Sequence, residues 1–169
     1  MKQTRQAEFA RAASFLGISY EALELSDLGL SLMPYPELFE TVLTRVRTHN
    51  PGVIFTFHPY EISREFDHPD HRMVGQVTLD VAATTDVTHF FPTHKAMDRR
   101  PHLFLWTTNR HLASHSLPIT KADRANRLAY LEEQYPSQFP QESIPKAKII
   151  FDRLTKQPQG HQELYRRVR

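Results

Sequence analysis

Apolar positions recur along the chain with helical spacing in some stretches and as short continuous runs in others, dividing it into alternating helices and strands. From Thr4 to Leu16, the residues Phe9, Ala12, Ala13 and Leu16 share one helical face, and Gly17 is placed to stop that helix. Ala22-Leu23-Glu24-Leu25 is a short strand candidate, with Asp27 just beyond it. Pro34 and Pro36 then break the chain, Pro36 where a helix opens. Leu38, Phe39, Val42, Leu43 and Val46 form that helix's buried stripe, and Asn50-Pro51-Gly52 ends it. The run Val53-Ile54-Phe55-Thr56-Phe57 is apolar without alternation, as in a parallel strand covered on both faces. It is expected to be central and fully buried. Val74, Val77, Thr78 and Val81 return to helical spacing and predict a helix from Pro69 to Ala83. Leu103-Phe104-Leu105-Trp106 is the next strand, and Asn109 to Pro118 reads as a polar loop. Thr120 with Asp123 resembles a capping box that opens a helix ending near Gln134. Tyr135-Pro136-Ser137-Gln138 interrupts the chain before a last helical stretch with Ile149, Ile150 and Leu154. Arg166, Arg167 and Arg169 read as a solvated helix end.

This alternation predicts a Rossmann-like, layered α/β/α fold with a mainly parallel sheet, in a single domain over residues 1–169. The pattern opens on a helix with no strand before it, whereas a helix flanking a doubly wound sheet joins two strands. A βαβ piece is therefore expected to be absent from the front of the pattern.

Composition narrows the chemistry. The chain lacks cysteine, so neither a disulfide framework nor a thiolate metal site is open to it, and any metal must be held by His and carboxylate. The net charge of +2 does not by itself imply a nucleic-acid partner. No apolar run has the length of a membrane span, and the N-terminus has no apolar signal core. A soluble cytoplasmic protein is the expectation.

Ionisable side chains concentrate at Asp67-His68-Pro69-Asp70-His71, between the apolar strand and the helix that follows. In open α/β sheets ligands bind at strand carboxyl ends. Two His and two Asp placed there can hold a metal, relay a proton, or do both. Elsewhere the residues leave alternatives open. Arg5 and Glu8 have the spacing of an i,i+3 surface pair, and Asp27 that of a turn residue. His89, His94, His102, His111 and His115 show no ligand spacing, and Ser137 has no base at a recognisable spacing, which argues against a serine hydrolase.

His68-Pro69-Asp70-His71 resembles the second motif of the LmbE-like, or PIG-L, zinc deacetylases, which remove an acetyl group from N-acetylglucosaminyl substrates. Further marks follow in order. Arg5, Glu8, Ala12 and Leu16-Gly17 resemble that family's Arg-x-x-Glu helix. Leu25-x-Asp27 resembles its strand-end aspartate. Tyr135-Pro136-Ser137-Gln138 resembles a late His-x-Ser-Gln element with Tyr135 in the histidine's place, and Glu163-Leu164-Tyr165 a terminal Glu-x-Phe. The family's first motif, His-Pro-Asp-Asp, has no counterpart; His58-Pro59-Tyr60 begins similarly but lacks both aspartates. The resemblance thus implies a family member without its N-terminal strand-helix unit, roughly 30 residues or more.

The same resemblance implies the roles. His71 is a metal ligand, the remaining ligands of a Zn2+ being expected from the absent segment. His68 stabilises the oxyanion and protonates the leaving amine, and Asp70 tunes that histidine. Arg5 and Asp27 hold sugar hydroxyls and are expected on the same rim as His68 and His71. The reaction implied is attack of zinc-bound water on the acetamide of a small N-acetylated amino-sugar conjugate. Two other readings stand beside it. One is a non-catalytic remnant of the family that binds a sugar or a protein partner. The other is a nucleic-acid-binding domain, supported by the pI near 9.0 and the basic tail but by no aromatic-basic interleaving along the sequence.

Overall fold

The computed structural model describes residues 2–23, 25, 28–60, 68–107, 111–157 and 160–168. These gather into two compact units, one formed by Met1–Glu24 with Pro118–Gln162, the other by Leu25–Leu117 with Glu163–Arg169.

In the first unit, helix α1 spans Lys2–Leu16 and α4 spans Lys121–Gln134; α5 spans Ile144–Thr155. Helix α1 stops as expected: Gly17 takes a positive φ of 65°, its N–H donates to Ser14 O, and Ile18 N–H donates to Ala13 O. This paired closure satisfies carbonyls that the last turn would otherwise leave open. The expected apolar face of α1 is only half buried. Ala12 and Ala13 are in the core, but Phe9 and Leu16 are exposed, and the buried residue in the turn before is the charged Glu8. Helix α4 starts on the expected capping box, with Asp123 N–H donating to Thr120 Oγ1 and Thr120 N–H donating to Asp123 Oδ2. The short strand β4, Lys156–Gln157, pairs antiparallel with the start of β5, Gly160–Val168.

The second unit carries the sheet. Helix α2, Tyr35–His49, is followed by β1, Val53–Phe57, and by α3, Pro69–Ala82; β2 is His102–Thr107 and β3 is His115–Pro118. The strand order is β1-β2-β5-β3, with β1 parallel to β2 and β2 antiparallel to β5. The layered α/β architecture follows the predicted alternation, and the sheet is mixed. Leu38, Phe39 and Leu43 of α2 pack with Val77 and Val81 of α3, while Ala82 and Leu79 of α3 cover Ile54, Leu103 and Leu105 of the sheet. A polar lock joins the two helices: the Tyr35 hydroxyl and Gln76 Nε2 both donate to the Asp80 carboxylate. Burial, then the Asp80 carboxylate, pushes the Tyr35 phenol above its ordinary value. Among the described residues no helix is long and apolar enough to cross a membrane.

Four local expectations are corrected. Strand β1 is not central and not fully buried. It ends the sheet path, with Val53 45% and Phe55 63% exposed on one face. Its continuous apolar run reflects a core on one face and aromatic rings on the other. No strand forms at Ala22, Leu23 or Leu25. The stretch read as a loop up to Pro118 contains β3, and the Arg-rich end read as a helix is β5, whose register with β2 brings Leu164 opposite Thr107 and Val168 opposite Leu103.

Candidate functional site

The His-Pro-Asp-His motif forms the first turn of α3, immediately beyond the end of the chain segment that leaves β1. His68 is the N-cap residue, with extended backbone (φ −95°, ψ 131°), and its ring Nδ1 accepts the Asp70 N–H at 3.2 Å. Imidazole thus takes the capping role usually filled by Ser, Thr, Asp or Asn. Pro69 follows at the first helical position, where its missing N–H costs nothing. A ring nitrogen that accepts a backbone N–H carries no proton, so neutral His68 bears its proton on Nε2, the other side of the ring.

Asp70 is 7% exposed and its Oδ1 accepts the Ser31 N–H at 3.2 Å. A carboxylate in the first turn is also favoured by the positive end of the helix dipole. The contact from Asp70 to His68 therefore runs through its backbone, while its carboxylate ties the turn to the short 3-10 helix Leu30–Leu32. His71 lies flat on the Phe57 ring, with centroids 4.2 Å apart and planes 5° apart, and the His68 ring is 5.1 Å away. His58, next after β1, is buried; its N–H extends the ladder to Trp106 O, and its Nδ1 accepts from Tyr60 N.

The close approach of α3 to the end of β1 depends on Gly75, one turn after His71. A Cβ there would come within 2.5 Å of Phe57 O and 3.1 Å of Pro59 N, both backbone atoms. Gly75→Ala must push the helix away from the strand end and lift His71 from Phe57. We expect a loss of about 1–3 kcal/mol, seen as a fall of about 2–10 °C in the thermal unfolding midpoint. An unchanged midpoint would mean that α3 and β1 slide apart freely.

The other candidates are placed differently. Asp27 and Asp67 lie outside the described residues. Arg5 belongs to the first unit, on α1, where its Nη1 donates to Glu8 Oε2 at 2.9 Å and its guanidinium lies over the rings of Phe9 and Tyr135. The pair is not a simple surface pair, because Glu8 is 2% exposed. Glu8 also accepts from Ser137 N and Ser137 Oγ, both at 2.8 Å, and Arg11 donates to Gln134 O. The Arg-x-x-Glu helix and the Tyr-Pro-Ser-Gln element, far apart in sequence, are one hydrogen-bonded assembly. Burial alone would raise the Glu8 pKa, but the two Ser137 hydrogen bonds and Arg5 outweigh it and hold the carboxyl below its ordinary value. A carboxyl with a depressed folded pKa stabilises above its unfolded pKa and loses that contribution as pH falls through the folded value. Wild type should therefore lose stability on acidification below the ordinary carboxylate range, and Glu8→Gln should lose less over the same interval. Parallel acid melts of the two proteins would exclude this assignment.

Sequence patterns alone did not single out Ser31 or Phe57 as partners of the motif. Phe57 carried a usable signal, since it is the last residue of the apolar run that precedes the His-Asp cluster. Ser31 carried none.

Among the described residues, no group of three His, Cys, Asp or Glu is gathered in a way that could hold a metal ion. The nearest arrangement is the His68–His71 pair, right in kind for zinc but short of the three protein ligands usual at a catalytic zinc.

Comparison with known proteins bears on this same corner. Residues 1–82 match the PIG-L family, described as GlcNAc-PI de-N-acetylase, a span that includes Arg5, Asp27 and the whole motif. No curated protein matches the chain. Among solved structures, the N,N'-diacetylchitobiose deacetylase of Pyrococcus horikoshii superposes with a TM-score of 0.71 at 18% identity, over 98% of this chain. This chain spans 63% of the length of that enzyme. The conserved protein TT1542 of Thermus thermophilus gives a TM-score of 0.73 at 19% identity, covering 98% of this chain and 73% of its own. GalB of Pseudomonas putida, a 4-carboxy-2-hydroxymuconate hydratase, gives 0.63 at 14%, covering 99% and 72%. At these identities the neighbours establish the fold, and their differing activities leave chemistry to the site itself. Its N-terminal 82 residues thus match the PIG-L family, and its fold is shared almost end to end with that of a deacetylase.

Proposed function

We propose that the chain acts in a metal-dependent deacetylase that hydrolyses the acetamide of an N-acetylglucosaminyl-type substrate. The observation that carries this reading is the first turn of α3, which holds two imidazoles side by side, at 5.1 Å between centroids, at the strand end where an α/β sheet binds ligands. His68 has its inner nitrogen fixed by Asp70 N–H, so its outer nitrogen donates a hydrogen bond to the oxygen that becomes negative. Asp70 acts as a positioning residue through that backbone N–H and through Ser31. His71, braced flat against Phe57, contributes one ligand to a zinc ion. Bound zinc would polarise the acetamide and activate water; its remaining ligands must come from outside the described donors. Arg5 and Asp27 hold sugar hydroxyls, Arg5 with the third of its side chain left exposed beside Glu8.

The shortage of described ligands favours one other reading, a non-catalytic family member that keeps the fold and binds a sugar. Amine release from an N-acetylglucosaminyl substrate, measured with zinc supplied and then with a chelator, separates the two. Release that stops with chelator and returns with zinc supports the enzyme. Substrate binding without release under any metal condition supports the second reading.

A further inference from the structure

The Arg-x-x-Glu helix and the Tyr-Pro-Ser-Gln turn do more than bond to each other: together they seat one guanidinium. Arg5 lies over two rings, 5.2 Å from the centre of Phe9 and 5.8 Å from that of Tyr135. Those rings meet edge to face, 6.1 Å apart at 78°, and form a corner that holds the cation. The Glu8 carboxylate then fixes one end of the cation through Nη1 at 2.9 Å. Phe9 and Glu8 stand four and three residues after Arg5, so α1 supplies them by itself. Tyr135 and Ser137, which holds Glu8 with two hydrogen bonds, come from the turn that ends α4.

Tyr135 is itself held in place. Its N–H donates to Leu131 O as the last hydrogen bond of α4, and its carbonyl accepts from both Gln138 N–H and Phe139 N–H. Its phenol is hydrogen-bonded to that of Tyr130, whose ring stands edge-on to it at 6.0 Å. A backbone and a hydroxyl so constrained leave the ring little freedom. An arginine on a helix surface has many rotamers, and ordering it at the moment of binding costs affinity. A guanidinium already seated avoids that cost. Among the described residues Glu8 is its only hydrogen-bond partner, which keeps the other N–H groups for a ligand. Packing alone would be served by an apolar side chain at this position. A cation held by two rings and a buried carboxylate keeps its donors aimed in one direction.

We propose that Tyr135 is a positioning residue for the sugar: it holds Arg5 in one orientation and does not itself touch the ligand. This rests on the sugar-binding role of Arg5 stated above. Two readouts test it. The Arg5 Nε–H signal in a proton–nitrogen NMR spectrum should lie apart from those of mobile arginines, and in Tyr135→Leu it should move to join them. The dissociation constant for N-acetylglucosamine, from NMR titration, should rise about three- to fivefold in Tyr135→Leu. It should stay near the wild-type value in Tyr135→Phe, which keeps the ring, and rise at least as far in Arg5→Ala as in Tyr135→Leu. Adding Tyr135→Leu to Arg5→Ala should bring no further loss, because Tyr135 acts through Arg5. Phe9→Leu removes the other wall of the corner at a position 40% exposed, so it reads the same seating should Tyr135→Leu unfold. It should shift the same signal and weaken binding about twofold. An unchanged Arg5 signal and unchanged affinity in both leucine variants would overturn the proposal while Arg5 keeps its role. Additive losses in the double variant would overturn it by making Tyr135 a direct sugar contact. Sugar binding that Arg5→Ala leaves intact, or none by wild type, removes the role of Arg5 and the proposal with it.

Discussion

Replacing Arg47 with methionine should cost about 3–5 kcal/mol, the largest single loss of stability expected from any substitution in the α2–α3 unit. Arg47 sits in the last turn of α2 and is 7% exposed. Its Nε donates to Thr85 O, its Nη1 to Phe90 O, Phe91 O and His94 O, and its Nη2 to Val87 O at 2.8 Å and Thr84 O at 3.5 Å. One planar guanidinium thereby satisfies the carbonyls of the loop between α3 and β2. Phe39 reinforces the same loop by packing on Phe90 and Phe91, and Phe91 is held at a φ of 50°, outside the usual range for a bulky residue. Methionine fills much of the volume but offers no donor. Thr84 O, Thr85 O, Val87 O and Phe91 O each keep a backbone N–H, but Phe90 O and His94 O lose the donor that Arg47 supplies, at about 1–3 kcal/mol for each buried carbonyl left unpaired. The unfolding midpoint should fall by about 10 °C or more, with faster amide exchange confined first to residues 84–94. Arg47→Lys should fall between the two proteins, because a single ammonium has three donors and no fork. A drop under about 1 kcal/mol in Arg47→Met would mean that water already serves these carbonyls.

Arg47 also illustrates what linear patterns leave out. Its position in a last helical turn is explained by the helix dipole without any buried role, and its six partners all lie more than thirty residues away. Features governed by near neighbours were legible: the α2 stripe, the Thr120–Asp123 box, the Gly17 stop and the start of α3 at Pro69 all emerge where local pattern places them. Features decided by pairing were not. The run Val53–Phe57 looks the same whether a strand is covered on both faces or ends a sheet with Phe55 outside. Strand β5 alternates Leu164, Arg166 and Val168 on one face, and only β2 tells this apart from a basic helix end. Likewise Glu8 and Ser137 carry separate family marks, yet their direct hydrogen bonds across 129 positions belong to the fold.

The site prediction with the largest expected effect separates the two imidazoles of α3. His71→Ala should abolish whatever specific zinc the protein holds, because it removes the proposed ligand. His68 must be tested by a substitution that spares the helix start, since its Nδ1 caps Asp70 N–H and alanine there would add about 1 kcal/mol of lost capping to any chemical effect. Asparagine supplies an acceptor for that N–H but no proton at the position of Nε2. His68→Asn should therefore keep the melting point and the zinc content while turnover of the N-acetylated substrate falls about 10²–10³-fold, with KM little changed. Zinc content by elemental analysis gives a readout that does not depend on activity. Retention of stoichiometric zinc by His71→Ala would remove that residue from the ligand set. Full turnover by His68→Asn would show that another donor holds the oxygen that becomes negative. A parallel fall of both zinc and turnover in His68→Asn would make His68 a second ligand, exchanging its hydrogen-bonding role for a place beside His71 on the metal.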